Sequence, residues 1–454
     1  MSTGRTVSFH TLGCKLNFAE TSGISQQFRQ AGYDEVAFEE AADIYILNTC
    51  SVTDQADKKC RKAVRSALRN NSSAKVIVIG CYAQLKPVEI AGIPGVSMVL
   101  GAAEKFNILE HLQHLEPMNP LGQIHAGDIR DVNQFIPSYS IEDRTRTFLK
   151  VQDGCDYKCS FCTIPLARGR SRSGEVDRIV ELSREIGRKG VKEIVLTGVN
   201  LGDFGNGTEV IEGARPKKDA LFIDLIKALD EVEEIDRFRI SSIEPNLCTK
   251  EVIDFVAASK RFMPHFHMPL QSGDNQILSL MKRRYRKELY AERVAYIKNV
   301  MPHACIGVDV IVGFPGESDE LFQSSFDFIH GLDVSYLHVF TYSERPNTLA
   351  NEMSGRVIAS TRHQRSQQLR NLSIKKKNNF YIQFFNTRKK VLLEQKQDEP
   401  FNGLSGFTDN YLRVNLPNAT IDMVNTFQDV LIEGFDVTGD LKGKLISFEL
   451  PALV

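Results

Sequence analysis

The sequence predicts an α/β chain in three parts: an N-terminal parallel α/β sheet domain over residues 4–115, a central partial (β/α)6 barrel over 144–375, and a small C-terminal antiparallel β-barrel over 384–453. Three observations predict it. Short β-branched runs alternate with helical patterns as far as Leu115, which implies parallel strands joined by helices. Six more strand and helix pairs follow between Thr147 and Tyr342, short of the eight that close a parallel barrel. Beyond residue 384 the pattern becomes short strands joined by Gly, Asn and Asp turns.

The first part has strand patterns at Thr6–Leu12, Ile44–Asn48, Lys75–Gly80 and Val96–Leu100, with helical patterns at Asn17–Ala31, Thr53–Asn70 and Pro87–Ala91. Its first three strands each run into a cysteine: Cys14, Cys50 and Cys81. Ligands of open α/β sheets collect beyond the carboxyl ends of the strands, so these thiols are expected to converge on one edge. Three small buried hydrophobes are the other reading. Gly13 and Gly80, just before two of the thiols, let the backbone approach a bulky group. Cys60, mid-helix among Lys58, Lys59, Arg61 and Lys62, is expected to be no ligand. Residues 116–143 lose periodicity around Pro117, Pro120, Gly122, Gly127 and Pro137, and read as a linker.

In the second part, strands are expected at Thr147–Gln152, Glu193–Gly198, Arg237–Ser242, His265–Leu270, Cys305–Val312 and Tyr336–Tyr342. Helices are expected between them at Glu175–Gly187, Leu221–Val232, Lys250–Ala258, Lys287–Val300 and Asp319–His330. Chemistry in such a barrel sits on the loops after the strands. The loop after the first strand is Cys155-Asp-Tyr-Lys-Cys159-Ser-Phe-Cys162, three thiols able to meet at one point. Soft thiolates select zinc or an iron–sulfur cluster, and four would close either site. Three leave a position open, unless a distant His or Cys completes a zinc knuckle. His265 and His267 share a strand face, and Cys248 and Cys305 sit in apolar surroundings; all four are expected to be core or barrel lining.

A helical pattern from Ile358 to Asn386 leads to the third part and carries Lys375-Lys376-Lys377, followed by Arg388-Lys389-Lys390. Residues 356–413 hold 12 Lys and Arg against 4 Asp and Glu; residues 414–454 reverse this to 2 against 6. Strands are expected at Lys390–Glu394, Tyr411–Asn415, Val430–Gly434 and Lys444–Leu450, with Phe401, Phe407 and Tyr411 near the basic side. That side suits a polyanion held by phosphate contacts, or is a solvated charged face.

Composition limits the remaining classes. The chain has 454 residues, 42% of them hydrophobic, which suits about two to four ordinary globular domains. A net charge of −1 excludes a global field for nucleic acid, so any such attraction is local. No run of about 18 apolar residues occurs, and none follows Met1-Ser-Thr-Gly-Arg-Thr6, so a cytoplasmic protein off the membrane is expected. Nine cysteines, an odd number, argue for reduced thiols in metal or redox chemistry rather than a disulfide frame.

Taken together, the cysteines at 14, 50 and 81, the C-x3-C-x2-C loop and the basic terminal barrel resemble the radical S-adenosylmethionine (SAM) methylthiotransferase family over nearly the whole chain. Thr11-Leu-Gly-Cys-Lys-Leu-Asn17, Asn48-Thr-Cys-Ser-Val-Thr53, and Gly154–Cys162 followed by Ala167-Arg-Gly-Arg-Ser-Arg-Ser173 look most like the branch acting on N6-threonylcarbamoyladenosine beside the tRNA anticodon. The isopentenyladenosine branch usually has Gly-Cys-Gln-Met-Asn at the first cysteine and the ribosomal-protein branch Gly-Cys-Pro-Lys-Asn. Neither is present.

The resemblance implies that Cys155, Cys159 and Cys162 hold a 4Fe–4S cluster that binds and cleaves SAM. Tyr157, Phe161, Gly198, Asn200, Ser242, Glu244, Gln271, Ser272 and Phe314 are expected around the SAM, although such Gly, Ser and Asn positions also suit plain turns. Cys14, Cys50 and Cys81 would hold a second 4Fe–4S cluster that carries the sulfur. The terminal barrel would be a TRAM RNA-binding domain. Arg168, Arg170 and Arg172 would meet tRNA phosphate or the SAM carboxylate, or form a plain surface loop, while Lys375, Lys376, Lys377, Arg388, Lys389 and Lys390 would hold the tRNA around its anticodon loop. An electron-donor protein and a sulfur source complete the implied partners. Adenine C2–H is neither acidic nor nucleophilic, so a radical route fits such a substrate. The alternatives are methylthiolation of isopentenyladenosine or a ribosomal-protein side chain, or a zinc-containing RNA-binding protein without catalysis.

Overall fold

The inner strands of the N-terminal sheet are buried on both faces, as βαβ connections require. The computed structural model describes residues 4–50, 54–115, 121–140, 145–214, 216–217, 219–394 and 403–446, with only the backbone of 54–56. The sheet contains β1 (Thr6–Thr11), β2 (Asp34–Glu35), β3 (Ile44–Thr49), β4 (Lys75–Gly80), β5 (Val96–Leu100) and β6 (Gln123–His125), in the order β2-β1-β3-β4-β5-β6 and all parallel. Every residue of β3 is buried. The helix Lys15–Gln30 starts earlier than the apolar pattern suggested, because Cys14 itself is its N-cap residue. Two strands escaped the sequence reading. β2 and β6 have two and three residues, too few to show a period, and β6 lies in the stretch expected to be a linker.

The same stretch also gives β7 (Ser138–Tyr139), antiparallel to β8 (Arg146–Lys150), so residues 121–140 join both sheets rather than merely crossing between them. A short hairpin of β9 (Gln152–Asp153) and β10 (Arg172–Ser173) brackets the cysteine loop. The barrel strands continue with β11 (Glu193–Thr197), β12 (Arg237–Ile240), β13 (His265–Gln271), β14 (Cys305–Val312) and β15 (Tyr336–Thr341). They form two ladders, β12-β11-β8-β7 and β13-β14-β15. Between β12 and β13 the seam is a single bridge, Phe238 to Phe262, and the Ile243 N–H donating to the His267 carbonyl at 3.0 Å. Helices at Val176–Arg188, Phe222–Asp230, Lys250–Ala258, Lys287–Val300 and Asp319–Gly331 bury their apolar residues in one large core with the strands.

Helix Ala359–Ile382 packs on β15 and crosses residue 375, so the expected boundary falls inside an element. Beyond it β16 (Arg388–Glu394), β17 (Leu404–Phe407), β18 (Arg413–Leu416), β19 (Phe427–Phe435) and β20 (Leu441–Leu445) close a barrel in the order β16-β17-β18-β20-β19. One pair, β18 with β20, is parallel, a departure from the all-antiparallel expectation. β17 was not foreseen, and Phe401 and the expected strand end 447–450 lie outside the described residues.

The terminal barrel plugs the lower end of the central one. Arg237 donates to the carbonyls of Phe407 and Lys390 at 3.1 and 3.0 Å, and Arg239 to those of Asp409 and Thr408 at 2.9 and 3.2 Å. Tyr411 stacks on His265 with ring centres 4.2 Å apart. These residues start their strands, so the plug sits opposite the mouth that carries the cysteine loop.

At that mouth the N-terminal domain is fastened by buried charge. Glu20, without exposed side chain, accepts from Lys105 at 2.7 Å, Lys150 at 3.1 Å and Arg168 at 3.1 Å. Asp153 accepts from Arg168 at 2.9 Å and Arg172 at 3.0 Å, with Lys150 at 3.5 Å. Burial raises the Glu20 carboxyl, but Arg168, Lys105 and Lys150 outweigh it and hold it well below the usual range; Asp153 is lowered in the same way. Both groups ionise more readily folded than unfolded, so their stabilisation is present above about pH 4 and is lost as pH falls. Glu20→Gln leaves three buried cations short of one carboxylate. It is expected to cost about 3–5 kcal/mol, read as a lower urea midpoint at pH 7; an unchanged midpoint would show that the network does not hold the domains.

Candidate functional site

Cys14, Cys50 and Cys81 stand at the carboxyl ends of β1, β3 and β4, adjacent in the sheet as expected. Gly13 has φ +123°, and a Cβ there would lie 2.8 Å from the Cys50 Cβ. Gly80 has φ +98°, and its Cβ would lie 2.4 Å from the Thr49 carbonyl oxygen. The room these glycines make is therefore taken by the neighbouring strand end, which draws the thiol-bearing loops together. Asn17 ties the same loops: its Nδ2 donates to the Leu12 and Thr49 carbonyls at 2.9 and 3.1 Å, and Asn48 donates to its carbonyl at 3.0 Å. Cys14, at the N-cap of a 16-residue helix, meets the positive end of its dipole. Burial raises the Cys81 thiol while Arg168 and Lys105 pull it down.

The other loop is folded around its sulfurs. Gly154, φ +71°, lets the chain pass where a Cβ would collide with the Arg170 carbonyl. Backbone N–H groups of Tyr157 and Ile164 donate to the Cys155 and Cys162 sulfurs, each at 3.4 Å. Arg283 donates to the Cys159 sulfur at 3.1 Å and pairs with Glu244. Burial raises all three thiols, Cys162 to about 12, so ligation must release their protons. All nine cysteines are free thiols. Cys60, Cys248 and Cys305 are buried in the packing, as expected.

Both triplets fit iron–sulfur clusters. Among the described residues, the one group of three His, Cys, Asp or Glu ligand atoms close enough for a single ion, all within 4.8 Å, is His267, Asp309 and His338. Neither cysteine triplet is drawn in to that spacing in the structure. Buried charge fits as well: Arg168, Lys105, Lys150 and Arg172 outnumber Glu20 and Asp153, and the surplus acts on Cys81 and Cys14. Anionic clusters are at home beside such a surplus.

Of the residues expected around SAM, Phe161 and Phe314 meet edge to face with centres 6.4 Å apart. Tyr157 is buried, with Asn246 donating to its hydroxyl at 2.8 Å and Arg284 over its ring. Asn200 is the clearest sign of a ligand. It is 2% exposed, yet its side-chain oxygen and nitrogen both lack a hydrogen-bond partner. Gly198 packs against Gln152, and Ser242 lies beside it through the Leu201 N–H donating to the Ser242 carbonyl at 3.4 Å. Gln271 holds φ +66° at a bulge in β13, a strained position at the mouth. Glu244 pairs with Arg283, and the Ser272 hydroxyl accepts from the Asp274 N–H at 3.2 Å. A cavity of about 490 Å³ lined by Ser171–Asp177 and Phe204–Asn206 includes Arg172 but none of the other residues expected at SAM.

The basic residues divide. Arg168, expected at phosphate, is buried and donates to Asn17 at 2.6 Å, to Asp153 and to Glu20; Arg172 likewise turns inward to Asp153. Lys376 caps the carbonyls of His330 and Leu332, Lys377 pairs with Asp440, and Lys389 lies 3.7 Å from Asp409. Arg170, Lys375, Arg388 and Lys390 are exposed, with no side-chain partner among the described residues. Sequence reasoning passed over Glu20, Lys105, Lys150, Asp153, Gln152 and Arg283. A lysine inside the apolar run Phe148-Leu149-Lys150-Val151 was the one visible signal. Gln152, fully buried, accepts from the Val199 and Asn200 N–H groups at 2.8 and 2.9 Å and donates to the Gly154 carbonyl at 2.8 Å, joining the cysteine loop to the Asn200 turn.

A partial parallel barrel with three converging thiols after its first strand, and a ligand-ready turn after the next, is a radical SAM enzyme. Residues 149–329 match the Radical SAM superfamily, and residues 6–101 match the family described as Uncharacterized protein family UPF0004. Threonylcarbamoyladenosine tRNA methylthiotransferase MtaB of Bacillus subtilis is 38% identical over 434 residues, 94% of this chain and 93% of that one. tRNA-2-methylthio-N(6)-dimethylallyladenosine synthase of Desulfotalea psychrophila is 30% identical over 424 residues, 91% of this chain and 94% of that one. The chain belongs to the radical SAM methylthiotransferase family. Its fold is shared with the radical SAM methyltransferase TsrM from Kitasatospora setae, at a TM-score of 0.56 and 14% identity, covering 77% of this chain and 75% of that one. The family brings SAM and a 4Fe–4S cluster, and no described helix is long and apolar enough to cross a membrane.

Asn200→Ala removes two buried orphan atoms and little packing. It is expected to keep the melting temperature and to weaken SAM binding about tenfold by calorimetry; undiminished affinity would place the SAM elsewhere.

Proposed function

We propose that this chain places a methylthio group on C2 of N6-threonylcarbamoyladenosine at tRNA position 37, using one SAM as methyl donor and another as radical source. In this reading Cys155, Cys159 and Cys162 hold one 4Fe–4S cluster, and Cys14, Cys50 and Cys81 hold a second. When bound, the first supplies the electron for reductive cleavage of SAM and the second the sulfur that is methylated and transferred. An electron-donor protein and a sulfur source are the further partners of such a reaction.

One observation carries it. The Arg168 guanidinium bonds Asn17, which ties the Cys14 and Cys50 loops, and Asp153, which accepts from the Gly154 N–H at 2.8 Å just before Cys155. A single buried side chain thus couples both thiol sets, as a radical made at one and consumed at the other requires. Arg283 and the Tyr157 and Ile164 N–H groups stabilise thiolate charge at the first set. Arg168 and Lys105 do so at the second. Gln152 and Asn200 fix the turn that faces the cosubstrate. Lys15-Leu16-Asn17 behind Cys14, together with the MtaB relatives, supports the threonylcarbamoyl substrate.

Anaerobic reconstitution is expected to give about eight irons per chain, falling to about four in Cys14→Ala. Four irons in both proteins would remove the second cluster. Nucleosides of tRNA from cells lacking the gene are expected to lose the 2-methylthio derivative of threonylcarbamoyladenosine by mass spectrometry, and loss of the isopentenyl derivative instead would reassign the substrate. Neutralising Lys375, Arg388 and Lys390 together is expected to leave SAM cleavage intact and to lower the slope of log tRNA affinity against log salt by about 2; an unchanged slope would make these residues merely solvated.

A further inference from the structure

β13, β14 and β15 turn alternate residues to opposite faces. Phe266, Met268, Ile306, Val308 and Leu337 enter the core shared with the helices. The residues between them face the inside of the barrel, where His265 stacks on Tyr411 of the plug and lies 3.2 Å from the Tyr336 hydroxyl. One layer nearer the mouth stand His267, Asp309 and His338. The register sets Asp309 opposite His338, and His267 opposite Gly307, two residues before Asp309 on the same face. A Cβ on Gly307 would lie 2.4 Å from the Tyr336 ring, so that ring takes the place of a side chain and His267 meets Asp309 along the diagonal. The Asp309 Oδ1 lies 3.0 Å from His267 Nε2 and 3.3 Å from His338 Nδ1, and the three ligand atoms are all within 4.8 Å of one another.

We propose that His267, Asp309 and His338 bind one divalent transition-metal ion, zinc or ferrous iron, with its remaining positions open to the barrel interior for an oxygen donor. Bonds of about 2.0–2.1 Å to a single ion set neighbouring donors about 3.3 Å apart at tetrahedral angles, and the two separations at Asp309 match. The charge fits too. Asp309 is partly buried, and its ion-pair partners among the described residues are the two imidazoles, neither of which carries a fixed charge. Buried carboxylates are paired with cations or coordinate metals. Two imidazoles and one carboxylate are the donor set of open zinc and non-haem iron sites, whereas magnesium and calcium take oxygen donors. Three protein ligands leave positions free, and the exposed His338 shows that the trio is open on one side. No cysteine is among the donors, so this ion is distinct from either cluster. The site stands whichever adenosine is modified.

In the test, Zn2+ is titrated by calorimetry into anaerobically reconstituted enzyme while the absorbance of the clusters is followed. Wild type is expected to bind one zinc ion per chain with that absorbance unchanged. X-ray absorption at the zinc edge is expected to show nitrogen and oxygen donors at about 2.0–2.1 Å and no sulfur at about 2.3 Å. Asp309→Asn and His338→Gln are each expected to weaken zinc binding about a hundredfold or more, since disturbing even an outer partner of a metal ligand costs about ten- to a hundredfold. His338 is the exposed member of the trio, so its variant decides if Asp309→Asn fails to take up wild-type iron. Wild type that binds no zinc would leave a plain hydrogen-bonded trio and overturn the proposal. Sulfur at the zinc edge, or undiminished affinity in His338→Gln, would overturn it equally by placing the ion elsewhere.

Discussion

The centre of this molecule depends on the Arg168 guanidinium, shared out between Glu20 of the N-terminal helix, Asp153 beside the cysteine loop, and Asn17 beneath Cys14. Bringing these groups out of water is costly, and it is offset only because each charge finds several partners with good geometry. Satisfied in this way, the network leaves few alternative arrangements of the two domains. It therefore does for domain placement what a core does for side chains, and it does so at the cleft where the two thiol sets stand. The terminal barrel uses the same logic at the other end, with Arg237 and Arg239 reaching backbone carbonyls of the plug.

The charge surplus of the network has a chemical use. Four cations, Lys105, Lys150, Arg168 and Arg172, against two acids would be a liability in a finished core. Beside the Cys81 thiol the surplus instead favours the thiolate. Arg283 repeats the device at Cys159, where its second partner Glu244 fixes it in place. At both sites a cation held by a carboxylate acts on a thiol, by a hydrogen bond at Cys159 and through space at Cys81. The protein's contribution to the chemistry is this preorganisation, together with turns such as that of Asn200 left unsatisfied for a ligand.

Much of this was legible in the sequence, because strand period and strand-end cysteines are local signals. β3 and β4 stand within a residue of where the apolar runs put them, and Cys14, Cys50 and Cys81 fall at adjacent strand ends. Arg168 was misread for a physical reason. An arginine in Ala167-Arg-Gly-Arg-Ser-Arg-Ser173 looks the same whether it faces phosphate or folds back on a carboxylate 148 residues away. The same holds for Lys376 and Lys377, whose carbonyl and carboxylate partners lie on other elements. β2, β6 and β17 were too short to show a period, and β6 is a strand only because β5 presents an edge to it.

The central claim is that one buried network holds two iron–sulfur sites at a single cleft. Electron paramagnetic resonance of the reduced, fully reconstituted protein tests it most directly. The account predicts a spectrum broadened by magnetic coupling between two clusters, collapsing to two independent signals when Arg168→Met loosens the domains. A wild-type spectrum equal to the simple sum of those from the Cys14→Ala and Cys155→Ala proteins would contradict it.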